Sequence, residues 1–310
     1  MPSTTPRPGA RTVSTCLRDS IRILKDAGIE GARLDAQVLM GDVLGVDRLA
    51  LITDPDRILS VEEAGRFNDR VKRRTQREPV SHILGQREFW SLPFKVTAAT
   101  LAPRPDSETL VMAVLEFLRE SGREKDAVRI LDLGVGTGCL ILSLLHELPH
   151  AEGTGVDRSA AAAAVANENA RRLGLSGRIR LLVGDWAEPL DEGTHFEVVI
   201  SNPPYISDPE FAGLAPDVAA FEPEAALRGG VDGLDAYRRL IPGAVRRLEP
   251  GGALFLEIGA DQAVAVSTLC RAAGLMDVRV TKDMAGLDRV ISGRKMKKGM
   301  MHQNNGWKNK

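Results

Sequence analysis

The sequence predicts an α/β protein: a doubly wound, mostly parallel seven-stranded sheet that ends in an antiparallel hairpin, preceded by a small helical domain. Three observations carry this. Apolar residues recur at helical spacing over residues 14–80, strands and helices alternate from Arg129 onward, and the last two strands are separated by only a short turn.

In the first region Leu17, Ile21 and Leu24, then Leu34, Val38, Leu39 and Val43, mark apolar helix faces, with Gly28, Gly31, Gly41 and Gly45 as breaks. Residues 86–103 change character. Phe89-Trp90, Pro93, Phe94 and Val96 suggest a short hairpin, and Ala102-Pro103-Arg104-Pro105 forces an extended segment because proline disfavours helix in the residue before it. Strands are then expected at 129–133, 153–157, 178–184, 196–201 and 253–259, with helices after the first two and at 235–248 and 261–273. Strands at 278–281 and 289–292 flank a turn containing Gly286, too tight for anything but antiparallel pairing. The resulting organisation is a helical domain (1–85), a hairpin connector (86–105), an α/β domain (106–294) and a basic tail (295–310) predicted to be disordered.

Composition narrows the function classes. The 310 residues are 43% apolar and 27% charged with a net charge of −1, which excludes collagen-like, mucin-like and disordered readings. No apolar run reaches the ~18–20 residues of a spanning helix, and residues 1–10 lack the apolar core of a signal peptide, so no membrane association and a cytoplasmic location are expected. Cys16, Cys139 and Cys270 are odd in number and show no CxxC spacing, which suggests neither a disulfide framework nor zinc. Residues 1–100 carry 16 basic and 13 acidic side chains, residues 101–293 carry 19 and 29, and residues 294–310 carry six and none. An acidic middle is not the footprint of a protein that tracks a phosphate backbone, so no stable nucleic-acid partner is expected. Nothing in the chain demands an oligomer, and a monomer is expected.

Asp132-Leu133-Gly134-Val135-Gly136-Thr137-Gly138 closes the first strand and opens a helix, the place where open α/β sheets bind ligands. A dinucleotide fingerprint starting at Gly134 needs glycine at position 139, which is Cys139. The GxGxG spacing is instead that of S-adenosylmethionine enzymes, and a parallel sheet with one antiparallel hairpin is the arrangement of class I methyltransferases. Asp157, ending the second strand, supplies a carboxylate for ribose hydroxyls, and Asp185-Trp186 offers an acceptor and a stacking face for adenine. Taken alone, the glycines also read as a tight turn, Asp157 as a helix N-cap and Trp186 as core.

Ser201-Asn202-Pro203-Pro204-Tyr205 follows an apolar strand. An amide or exocyclic amine is a poor nucleophile because its lone pair is delocalised. The Asn202 side-chain oxygen and the Pro203 carbonyl, accepting from its NH2, would hold the nitrogen with a lone pair aimed at a sulfonium methyl. Tyr205 would stack on the planar acceptor. This chemistry serves a protein amide or N6 of adenine in DNA or RNA, but the latter calls for a basic face. His146-Glu147-Leu148-Pro149-His150 matches a zinc-protease string, which Pro149 breaks, so no metal site is expected. His82 and His195 receive no role, and Glu257 reads either as a strand-edge group or as a group near the substrate pocket.

Taken together, these motifs resemble the bacterial and organellar peptide chain release factor glutamine N5-methyltransferases, the PrmC or HemK family. The resemblance covers most of residues 14–294 and includes Glu78-Pro79-Val80, Glu88-Phe89-Trp90, Pro103-Arg104-Pro105-Asp106, Phe221-Glu222-Pro223, Gly229-Gly230, Asp232-Gly233, Glu257-Ile258-Gly259 with Gln262, and Asp288-Arg289-Val290. It implies an N-terminal domain that docks the protein substrate and a class I domain using S-adenosyl-L-methionine. The implied acceptor is the glutamine of the Gly-Gly-Gln loop in release factors 1 and 2. Matched by motif, Gly134, Val135, Gly136, Thr137, Gly138, Asp157, Asp185, Trp186 and Asn202 would meet the cofactor. Asn202, Pro203, Pro204 and Tyr205 would hold the glutamine, with Pro103, Arg104 and Pro105 walling the channel. Val135, Ala102 and Ser107 depart mildly from the family pattern, and the basic tail has no counterpart in it.

Overall fold

The computed structural model describes residues 11–296, which form two compact units. The first comprises residues up to Gln86 together with Ala215–Phe221. Its helices span Val13–Asp26, Ala32–Leu44, Arg48–Thr53, Val61–Thr75 and Val80–Leu84. Local sequence starts them: Thr12 with Thr15, and Ser60 with Glu63, form reciprocal capping boxes that satisfy otherwise orphaned amides. Leu24, Leu39, Met40 and Phe67 fill the core.

Gly41, read above as a break, lies inside Ala32–Leu44. A Cβ there would stand 2.8 Å from the Val46 carbonyl oxygen, so the missing side chain admits a close backbone approach while left-handed Gly45 ends the helix. Arg74 is buried in this unit, its guanidinium held by Asp35 at 2.8 Å and Asp217 at 2.7 Å. A buried charge needs such partners, and Asp217 belongs to a segment that the sequence reading assigned to the 106–294 domain.

The second unit begins with a hairpin, β1 (Gln86–Phe89) and β2 (Leu92–Lys95). Trp90 and Ser91 form its turn with positive φ, a left-handed pair usually left to Asn-Gly. Glu108 accepts the Trp90 amide and Glu147 its indole N–H, both at 2.8 Å.

The main sheet contains β3 (Arg129–Leu133), β4 (Glu152–Asp157), β5 (Ile179–Val183), β6 (Phe196–Ser201), β7 (Leu248–Glu257), β8 (Leu275–Lys282) and β9 (Asp288–Lys295) in the order β5-β4-β3-β6-β7-β9-β8. Pairing is parallel through β7 and antiparallel for β7–β9 and β9–β8. The predicted α/β class with its closing antiparallel hairpin is the one observed. Helices Glu108–Glu120, Cys139–Glu147 and Ala160–Arg172 cover one core, and Asp235–Arg247 and Ala263–Ala272 the other.

Three expectations change. Helix Glu108–Glu120 went unread although Leu110, Val111, Val114 and Leu118 keep helical spacing. β7 starts at Leu248 rather than 253, with a bulge against β6 that accommodates Pro250-Gly251-Gly252. Lys295, expected in the tail, ends β9, and its ammonium donates to the carbonyls of Val245 (2.9 Å) and Leu248 (2.7 Å) at the end of helix Asp235–Arg247. Residues 297–310 of the expected tail lie outside the described residues. No helix among the described residues is long and apolar enough to cross a membrane.

Candidate active site

The strand order reverses at β3, so β4 and β6 leave it on opposite sides and a crevice opens beyond their carboxyl ends. There, wholly within the second unit, lies a cavity of about 310 Å³. Gly134, Val135, Gly136, Thr137, Asp157, Asp185, Trp186, Asn202, Pro203, Pro204, Pro103 and Arg104 line it. Gly138, Pro105 and Tyr205 do not. Gly138 caps helix Cys139–Glu147, Pro105 opens the turn Pro105–Ser107, and the Tyr205 ring packs into the second core, so each supports the cavity from behind.

One half of the cavity is built from the ends of the neighbouring strands β3, β4 and β5. Gly134, Gly136 and Gly138 have φ of +82°, +53° and +79°, and the amides of Gly134 and Val135 both donate to the Val156 carbonyl. No atom lies within 4 Å of where a Gly136 Cβ would stand, so any side chain there would enter the cavity. Asp157 accepts the Gly136 amide on Oδ2 and the Ser159 amide on Oδ1, both at 2.9 Å, and each oxygen keeps a lone pair for a ligand. Ser159, not Asp157, caps the following helix. Trp186 sits at φ +47° with its indole N–H buried and unpartnered. Asp185 is ion-paired to Arg239.

The other half is assembled from distant segments. Ser201 Oγ donates to the Leu133 carbonyl at 2.5 Å, joining the ends of β6 and β3. Asn202 turns its amide nitrogen to Ser107 Oγ at 3.4 Å. The Tyr205 carbonyl accepts from Gln262 Nε2 at 2.9 Å, and its hydroxyl lies 3.5 Å from Glu257 Oε1. Left-handed Gly233 packs so close that a Cβ would stand 2.4 Å from the Tyr205 oxygen. Arg104 pairs at 2.6 Å with Glu222, whose side chain is 1% exposed.

Two acids behind the cavity are perturbed. Burial, reinforced by Asp157, pushes the Asp132 carboxyl up to about 8, against the weaker opposing pull of the Ile141 amide. Burial likewise raises Glu257 to about 7, against the opposing pull of Ser107 and Arg289. Burial and the Glu257 charge raise the Tyr205 phenol to about 12.

Sequence reasoning gave no role to Ser107, Asp132 or Asn169, whose Nδ2 donates to the Thr137 carbonyl at 2.9 Å. No local spacing marks them, since Ser107 meets Asn202 across 95 positions. The glycine cluster around Gly229 and Gly233 was a legible sign of close backbone packing. The zinc-like string is not a site: its helix ends at Glu147, so His146 and His150 share no helical face. Among the described residues no group of three or more His, Cys, Asp or Glu could hold a metal ion.

Comparison with known proteins agrees with this architecture. Residues 15–85 match the PrmC N-terminal domain and residues 109–215 the methyltransferase small domain. A release factor glutamine methyltransferase of Caulobacter vibrioides is 46% identical over 270 residues, 87% of this chain and 92% of that protein. One from Moorella thermoacetica is 45% identical over 279 residues, 90% and 96% of the two chains. Among solved structures, the hMettl16 catalytic domain in complex with the MAT2A 3'UTR hairpin 6 is 16% identical, with a TM-score of 0.53 over 73% of this chain and 81% of that one; it shares the methyltransferase fold. With relatives this similar over nearly their whole length, this chain belongs to the release factor glutamine methyltransferase family.

Proposed function

We propose that this chain transfers a methyl group from S-adenosylmethionine to the side-chain amide nitrogen of the Gly-Gly-Gln glutamine in peptide chain release factors 1 and 2. The observation that carries the reading is Asn202: it lines the cavity beside the glycine loop and turns its amide nitrogen away to Ser107.

The residues present fit the cofactor. Asp157 has lone pairs left for ribose hydroxyls, Trp186 brings an indole face with an unsatisfied N–H, and Gly136 leaves open room that a side chain there would take. Asp185, restrained by Arg239, stands beside Trp186 as an acceptor. When bound, S-adenosylmethionine supplies an electrophilic methyl group on a sulfonium.

The protein's part is to make an amide nitrogen nucleophilic. Asn202 Oδ1 and the Pro203 carbonyl accept the two N–H bonds of the glutamine, which fixes the nitrogen and favours its lone pair leaving conjugation. Transfer would break the methyl–sulfur bond, leaving a neutral thioether, as the C–N bond forms; the nitrogen becomes more positive and gives up one proton to water, and the same two oxygens stabilise that charge. Prolines 203 and 204 stiffen the segment, and Tyr205 anchors it through Gln262. Pro103 and Arg104 wall the entrance, with Arg104 fixed by Glu222. Residues 1–85 dock the release factor, residues 86–105 connect, and residues 106–294 carry the chemistry, in a cytoplasmic monomer.

Transfer from labelled S-adenosylmethionine to unmethylated release factor tests this directly, run beside a factor whose Gly-Gly-Gln glutamine is replaced and beside duplex DNA. Label on the intact factor alone is expected. Equal label on the altered factor, or label on DNA, overturns the acceptor. The surplus of acidic side chains over residues 101–293 disfavours DNA.

A further inference from the structure

Glu257 ends β7 with its side chain wholly buried, and the reaction described above does not use it. Its carboxyl group lies among the Ser107 hydroxyl, the Asn202 amide and the Tyr205 hydroxyl, with Oε2 left without a hydrogen-bond partner. Arg289 and Asp106 also act on it, the Tyr237 hydroxyl donates to its main-chain carbonyl at 2.8 Å, and the Cys139 thiol feels its charge.

We infer that Glu257 is a positioning residue: with the Ser107 hydroxyl, its carboxylate holds the Asn202 side chain so that the amide oxygen, rather than the nitrogen, faces the acceptor. The inference rests on the function proposed above. An asparagine amide has nearly the same shape in either orientation, so packing alone does not choose between them. An ionised carboxylate does choose, because it only accepts hydrogen bonds and therefore draws Nδ2 toward itself. With the Ser107 hydroxyl donating its proton to the carboxylate, the flipped amide would set Oδ1 against two oxygens that have no proton to give, and would present NH2 to the NH2 of the incoming glutamine. A protonated Glu257 removes this discrimination, since its O–H can donate to Oδ1 of the flipped form. The neighbours pull in both directions. Arg289 favours the ionised form, Asp106 and burial oppose it, and the result is a titration at about 7.

The test is the pH profile of methyl transfer to release factor by wild type and Glu257→Gln. In the wild type, kcat rises with pH along a limb centred near pH 7. Glutamine can donate to Oδ1 and so tolerates the flip. The variant therefore populates both orientations, loses about half of kcat near pH 8 and shows no such limb, while KM for the factor and cofactor affinity move less than about twofold. A variant with kcat near pH 8 equal to that of wild type, or one that keeps the limb, overturns the inference, as does a loss carried by KM or cofactor affinity. The wild-type profile tests the same claim without any substitution: a kcat flat between about pH 6 and 9 refutes it. No transfer by the wild type at any pH refutes the proposed function instead.

Discussion

The two halves of the cavity are held by different means. The glycine-loop half is short-range: Gly134 to Gly138 and Asp157 to Ser159 shape it through backbone amides, neighbouring glycines and one carboxylate. The Asn202 half is long-range, braced by Ser107, Gln262, Gly233 and Glu257 from four other segments. A binding surface of fixed shape can be written into two successive strand–loop–helix units whose strands are neighbours. An orientable side chain that must accept from a weak nucleophile needs groups on several sides of it, which only distant parts of the chain provide.

Substitutions should separate the halves, beginning with the largest effect. Asn202→Ala removes an acceptor that acts on the reacting nitrogen, and kcat should fall by about 10³-fold or more while cofactor affinity holds within a few-fold; unchanged turnover would remove Asn202 from the chemistry. Gly233→Ala forces a Cβ 2.4 Å from the Tyr205 carbonyl at φ +73°. It should cost about 2–4 kcal/mol of stability in denaturant titration, along with part of kcat; a variant as stable as wild type would mean that the loop relaxes freely. Asp157→Ala should act on the opposite side, weakening cofactor binding by calorimetry about 10–100-fold and sparing the kcat of saturated enzyme; a pure kcat defect would erase the distinction between the halves.

The smallest effect on turnover lies beneath both halves, at Asp132, where the readout is stability. Its pKa in the folded chain, about 8, stands above the ordinary 3.8, so the folded state binds the proton more tightly than the unfolded state does. The stability it contributes is full below about pH 4 and is lost as pH rises through about 8. Asp132→Asn, which cannot ionise, should therefore match wild type at acid pH and gain on it by about 1.4 kcal/mol per pH unit between about pH 4 and 8, several kcal/mol in all near pH 9. Parallel melting curves across the range would show that Asp132 is not buried as a neutral acid.

The same division governs what could be read in advance. The alternation from Arg129, the antiparallel finish and the Gly134–Gly138 and Asn202–Tyr205 segments were legible because period and turn chemistry are local. Gly41 misled because glycine serves close approach as well as helix ends, and local sequence does not tell these apart. Tyr205 and Pro105 belong to the right segments but are not among the residues that line the cavity; the Tyr205 ring packs against the second core, a contact that depends on distant parts of the chain.

The sequence by itself determined the class of fold, the order of its elements, the glycine loop with its acidic partner and the acceptor pentapeptide. In each, the signal is a period, a spacing or a turn residue that lies within one segment, or in two successive strands as for Gly136 and Asp157. Only the tertiary structure decided that Ser107 stands behind Asn202, that Glu257 is sealed beside both, and that Asp217 groups with Arg74 in the first unit. Those relations depend on burial and on contacts across scores of residues. A carboxyl group acquires its acidity, and an amide its orientation, from whatever the finished fold places around it.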